Sequence, residues 1–202
     1  MPIATPGQIS VRPSAFPGLA ALNRTLTGKF LLALSASVFV ALCAHVSVPL
    51  PFTPVPLTFS DFAVLLVGLL LGPETAFAAL AFYLAEGACG LPVFSPLGPG
   101  GLAQLFGHTG GYLLAYPFSA ALAAILCRAL SLVMSRFPAA LAACTLACTL
   151  IMVSGTVWLG FLLHLNPARA FMLGAAPFLP GQIVKILAAA GIFASLQRWH
   201  RA

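Results

Sequence analysis

From about residue 30 onward the chain runs in long apolar stretches, each ended by proline, glycine or a charge. Apolar positions show no period-2 alternation, so the runs predict helices rather than strands. Six runs read this way, at about 30–48, 57–71, 74–90, 111–132, 138–163 and 177–197. The second is short: at ~1.5 Å per residue it reaches only ~22 Å, less than a ~30 Å hydrocarbon core. Before it, Pro49, Pro51, Pro54 and Pro56 forbid a helix and impose an extended, stiff segment. Gly72-Pro73 then marks a tight reversal into the third run.

Between the third and fourth runs lies SPLGPGGLAQLFGHTGG, residues 95–111, with six glycines and two prolines. It also carries Leu97, Leu102, Leu105 and Phe106, which a solvated loop does not need. The stretch reads as a lid or partly buried plug, where irregular backbone lines a cavity.

Composition turns these helices into membrane helices. Of 202 residues, 61% are hydrophobic and 6% charged, far from a soluble domain. Backbone polar groups cannot face lipid unsatisfied, and helices satisfy their own. The net charge of +6 flanks the apolar runs and does not indicate nucleic acid. Arg12, Arg24, Lys29, Arg128, Arg136, Arg198 and Arg201 fall on one side of a six-span arrangement, and Arg169 alone on the other. The positive-inside rule then places both termini in the cytoplasm. The expected class is all-α: a multi-pass protein of the cell (inner) membrane, with six spans over residues 29–202. Residues 1–28, rich in Pro, Gly and Thr, read as a mobile cytoplasmic tail.

With that topology, Asp61, Glu86, Gln104, His108, Gln182 and Lys185 all fall in the outer half, together with the proline-rich and glycine-rich loops. Polar groups, glycines and aromatics converge there on an outward-facing cavity, the usual make-up of a small-molecule site.

Lys185 is the sharpest signal. It is the only lysine after Lys29 and sits inside an apolar helix. An ammonium in hydrocarbon calls for a partner, a cavity or a ligand, unless it snorkels to the interface. Gln182 lies three residues earlier, on the same helix face. Glu86 is an intramembrane carboxylate at similar depth, so a Glu86–Lys185 pair between the third and sixth helices would satisfy both charges. Asp61 reads instead as an acid placed favourably at a helix N-terminus. Lys185, Gln182, Glu86 and Gln104 are the polar candidates for ligand contact. Phe52, Phe94, Tyr112 and Tyr116 are candidate flat walls, with packing or an interfacial belt as the alternative for each. On the first helix, Ala33, Ser37 and Ala41, each four apart, form a small-residue face that lets another helix approach closely.

Other chemistry finds little support. Five cysteines, without a CxxC, read as small packing residues. His45, His108, His164 and His200 are scattered without metal-ligand spacing, so no metal or cofactor is expected. Gly28-Lys29 is not a phosphate-binding loop. An intramembrane enzyme using Glu86, His108 and Lys185 as acid–base groups remains an alternative, although no nucleophile–base spacing supports it. So does a membrane scaffold without a ligand.

Three ordered stretches carry a resemblance: VPLPFTPVPLTFSDFAVLLVGLLLGPETAFAALAFYLAEGACGLPVF, GHTGGYLLAYP and FLPGQIVKILAAA. Together they resemble the BioY family, the biotin-binding S components of energy-coupling factor (ECF) transporters, over about residues 30–197. The resemblance implies a six-helix membrane protein that captures biotin from outside. It implies as partners a transmembrane coupling subunit, onto which the Ala33, Ser37 and Ala41 face docks, and two cytoplasmic ATPases. The family's usual Gly-Asp-x-x-Lys reads Gly181-Gln182-x-x-Lys185 here, and its Gly-Pro-Thr-Gly-Gly reads Gly107-His108-Thr109-Gly110-Gly111. An amide in the acid's place offers one carbonyl acceptor and an NH2 donor. A ligand other than biotin, on the same architecture, is the alternative this departure leaves open.

Overall fold

The structure, a computed structural model, describes Leu22 and residues 25–199. Among these the chain is mostly helical. Helix α1 is Leu26–His45, α2 Ser60–Leu71, α3 Pro73–Ala88, α4 Gly101–Leu105, α5 Gly110–Leu130, α6 Arg136–Leu162, α7 Pro167–Gly174 and α8 Leu179–Trp199. A 3-10 turn, Ala176–Phe178, joins α7 to α8. Helix α1 begins inside the expected tail: Thr25 caps it, its hydroxyl accepting from Gly28 N at 3.0 Å. The rest of that tail lies mostly outside the described residues.

Proline, glycine and polar caps set several boundaries. Gly72 adopts φ +85°, open to glycine without strain, and Pro73 starts α3 where its missing N–H costs nothing. Asn166 caps α7 by accepting from Arg169 N at 2.9 Å. The proline-rich segment is not simply extended. Strands β1 (Ser47–Val48) and β2 (Leu57–Thr58) pair antiparallel and close it into a loop.

Helix α2 is the core of the assembly. It packs against α1, α3, α5, α6 and α8, and nine of its residues, Ser60, Asp61, Ala63 to Leu69, are buried. Its brevity is therefore possible because protein surrounds it. Among the described residues, four segments are long and apolar enough to cross a membrane: Leu26–His45, Gly110–Leu130, Arg136–Leu162 and Pro167–Trp199. Helices α2 and α3, of 12 and 16 residues, are shorter. Many large apolar side chains point outward, among them Phe30, Val38, Phe118, Ile125, Val157, Phe161 and Ile183, as a lipid-facing surface requires.

Candidate functional site

Helix α2 delivers Asp61 in its first turn, and α8 delivers Gln182 and Lys185 from one face. The three meet at a buried point. Lys185 Nζ donates to Asp61 Oδ2 at 3.0 Å, and Gln182 Nε2 donates to the same oxygen at 2.6 Å. From α5, Tyr116 OH donates to Asp61 Oδ1 at 3.0 Å. Asp61 is 6% exposed and Lys185 3%, so charge is taken out of solvent only where it is paired and hydrogen-bonded. The second atom of the Gln182 amide, Oε1, is buried and without a hydrogen-bond partner among the described residues.

These residues form the floor of a cavity. Tyr83, Tyr112, Tyr116, Leu113, Met152 and Phe178 give it largely apolar walls. Val55, Pro56 and Thr58 of the proline-rich loop and Ser95, Gln104 and Thr109 of the glycine-rich loop close it from above. A cavity of about 40 Å³ lies between these walls.

Two of the walls, Tyr112 and Tyr83, are held from behind. Tyr112 OH donates to Gly174 O at 2.6 Å, tying α5 to the end of α7. Its ring lies where Gly155 of α6 has no side chain; a Cβ there would sit 2.2 Å from the ring. Tyr83 OH donates to Val93 O at 3.1 Å, and Phe94 meets the Tyr83 ring edge-on at 5.4 Å. The loops are tied as well: Thr53 Oγ1 donates to Leu173 O at 2.7 Å, and Trp158 Nε1 of α6 donates to Gly107 O at 2.9 Å.

Of the residues singled out from the sequence, the cavity brings together Lys185, Gln182, Gln104, Tyr112 and Tyr116, with Asp61 among them. Gln104 is turned partly to its own loop, its Oε1 accepting from Gly100 N at 3.1 Å. Glu86 stands elsewhere. It accepts from Ser37 Oγ across the α1–α3 contact and does not line the cavity. The expected Glu86–Lys185 pair is therefore replaced by Asp61–Lys185. Phe94 lies behind Tyr83 rather than on the cavity, and Phe52 is 58% exposed in its loop.

On the small-residue face, Ser37 is buried against Glu86, and Ala33 and Ala41 are half-buried and packed on the core. In the glycine-rich loop Leu105 is buried, but Leu97, Leu102 and Phe106 are exposed, so only part of the stretch plugs inward. His108 is exposed, and it does not converge with Glu86 and Lys185 as an acid–base site would need.

Sequence reasoning assigned Asp61 to its helix end and missed it as the hub. A signal was available. The chain has three acidic residues, Asp61, Glu74 and Glu86, and Glu74 lies at the opposite end of its helix from Glu86. Lys185 thus had two candidate counterions, and Asp61 was one. Trp158 and Met152 carry no comparable signal, because their roles depend on which face of α6 meets the loops.

The sequence matches the model of the BioY family over residues 16–202. It is 35% identical over 164 residues to a probable biotin transporter BioY of Pyrococcus horikoshii, covering 80% of this chain and 93% of that protein. It is 34% identical over 168 residues to the biotin transporter BioY of Thermotoga maritima, covering 82% and 95%. Among solved structures, the S component for biotin from an ECF-type ABC transporter superposes with a TM-score of 0.76. That match covers 84% of this chain and 90% of that one at 24% identity, which establishes likeness of fold.

Proposed function

This chain belongs to the BioY family, and from that membership we propose that it is a membrane substrate-binding subunit for biotin uptake. The observation that carries the reading is the Asp61–Gln182–Lys185 cluster at the floor of an aromatic cavity. Biotin joins a cyclic urea, with two N–H donors and a carbonyl, to an apolar sulfur ring. The floor offers what such a head requires: the Lys185 ammonium for its carbonyl and Gln182 Oε1 for an N–H. Tyr83, Tyr112, Tyr116 and Phe178 supply flat apolar area for the rings. The role is capture and delivery rather than catalysis. Asp61 supplies the carboxylate that the family places at 182, so Gln182 does not by itself call for a different ligand.

Helices α1, α2, α3, α5, α6 and α8 make six spans, α2 shielded within the bundle, with both termini on the positive, cytoplasmic side of the cell membrane. Biotin enters from outside between the proline-rich and glycine-rich loops. Energy comes from a transmembrane coupling subunit and two ATPases. The coupling subunit meets α1 along the edge that carries Ala33 and Ala41, with Ser37 between them held by Glu86.

The test is uptake of labelled biotin by cells lacking other biotin transporters, with this protein alone and with the coupling subunit and ATPases. Uptake that needs the module supports the full reading. Uptake without it supports a solitary biotin transporter, and no uptake in either case refutes the substrate.

A further inference from the structure

We infer that Asp61 is the positioning residue of the site, the group that sets how Lys185 and Gln182 meet the ligand. The inference rests on the biotin reading above. Side chains from two other helices converge on its two oxygens: Lys185 and Gln182 from α8 on Oδ2, and Tyr116 from α5 on Oδ1. An acid that merely suited a helix end would not be held so. Its first-turn position in α2 delivers the carboxylate into the cavity, where Lys185 and Gln182 also lie.

Two consequences follow for recognition. The first concerns the amide. Because Nε2 donates to Asp61, Oε1 is the atom left over, buried and unpartnered on a residue that lines the cavity. The reverse orientation would set a carbonyl oxygen against a carboxylate. Asp61 therefore makes Gln182 an acceptor toward the ligand, and the ligand must supply an N–H. The second concerns charge. Lys185 is balanced by Asp61 before a ligand arrives, so the floor carries no net charge from this pair. A ligand carboxylate placed there would face Asp61 within the same buried space. The site selects the neutral, hydrogen-bonding end of its ligand and leaves an acidic end toward the mouth.

The geometry needs one carboxylate beside Lys185, but not at a particular position in the chain. Residues 182 and 185 share a face of α8 three apart, so an acid at 182 also reaches Lys185. Asp61→Asn combined with Gln182→Asp would exchange acceptor and donor across the same gap, with the new amide donating to the new acid.

The experiment measures biotin affinity and thermal stability of the purified wild type, D61N and the double variant D61N/Q182D. D61N is expected to weaken binding by about 30-fold or more, as when one partner of a buried charge pair is removed. The double variant is expected to recover most of that loss, which a merely structural role for Asp61 would not produce. Its result also decides the matter where D61N alone does not fold. Wild-type binding with an unchanged D61N, or a double variant no better than D61N, overturns the inference and leaves the proposed function standing. A wild type that binds no biotin overturns the proposed function and this inference with it.

Discussion

The carboxylate of Asp61 and the ammonium of Lys185 meet at 3.0 Å between the first turn of α2 and the second turn of α8, although 124 residues separate them. The pair does two things at once. It removes an isolated charge from the apolar interior, and it fixes the floor of the cavity. Breaking a buried pair by deleting one partner is costly because the other charge is left behind. The floor is therefore expected to be stiff, with movement for entry left to the loops above.

Glu86 is predicted to be dispensable for ligand binding. It contacts Ser37 and not Lys185. Glu86→Gln keeps a hydrogen-bonding group at the α1–α3 contact, so biotin affinity of the purified protein should stay within about 3-fold of wild type. Collapse of binding in this variant would show that Glu86, and not Asp61, serves the lysine.

Gly155 is predicted to be intolerant of a methyl group. A Cβ there would lie 2.2 Å from the Tyr112 ring, and the ring is pinned at its far end by Gly174 O. Gly155→Ala should destabilise by about 1–3 kcal/mol, the usual range for overpacking, and weaken biotin binding by displacing a cavity wall. A thermal-shift measurement with and without biotin reads both effects.

Trp158 is predicted to act on the rate at which the glycine-rich loop lets ligand go. Its indole N–H holds Gly107 O at 2.9 Å. Trp158→Phe removes that bond, worth about 1 kcal/mol, while keeping an aromatic ring. Stopped-flow dissociation should show biotin leaving about 5-fold faster, with a smaller change in the association rate.

Ser37 separates two accounts of the first helix. If it belongs to an open docking face, Ser37→Leu should abolish uptake and leave the isolated protein unchanged. Buried at 1% exposure against Glu86, it should instead lower the melting temperature of the isolated protein as well. Melting of the purified variant beside its uptake distinguishes the two.

Helix placement was largely legible in the sequence because apolar runs ended in prolines and glycines. The run expected at 74–90 is α3 at Pro73–Ala88, and that at 111–132 is α5 at Gly110–Leu130. The short α2 was also legible, by length alone. Elements that depend on tertiary contact were not. The β1–β2 pair is two residues per strand, and α4 and α7 are five and eight residues long. At the site, Lys185 and Gln182 stood out through cost and spacing. Asp61 did not, because a helix N-terminus already explained it locally. Ser37 and Glu86 were each noticed, but their contact spans 49 residues and left no trace in spacing.

The central claim is that biotin binds at the floor built by Lys185. Equilibrium titration of labelled biotin into the purified, monodisperse protein tests it most directly, with Lys185→Met measured beside the wild type. Saturable one-to-one binding by the wild type, weakened about 30-fold or more in a folded Lys185→Met, is the expected result. Equal biotin binding by both proteins, or none by the wild type, would contradict the claim.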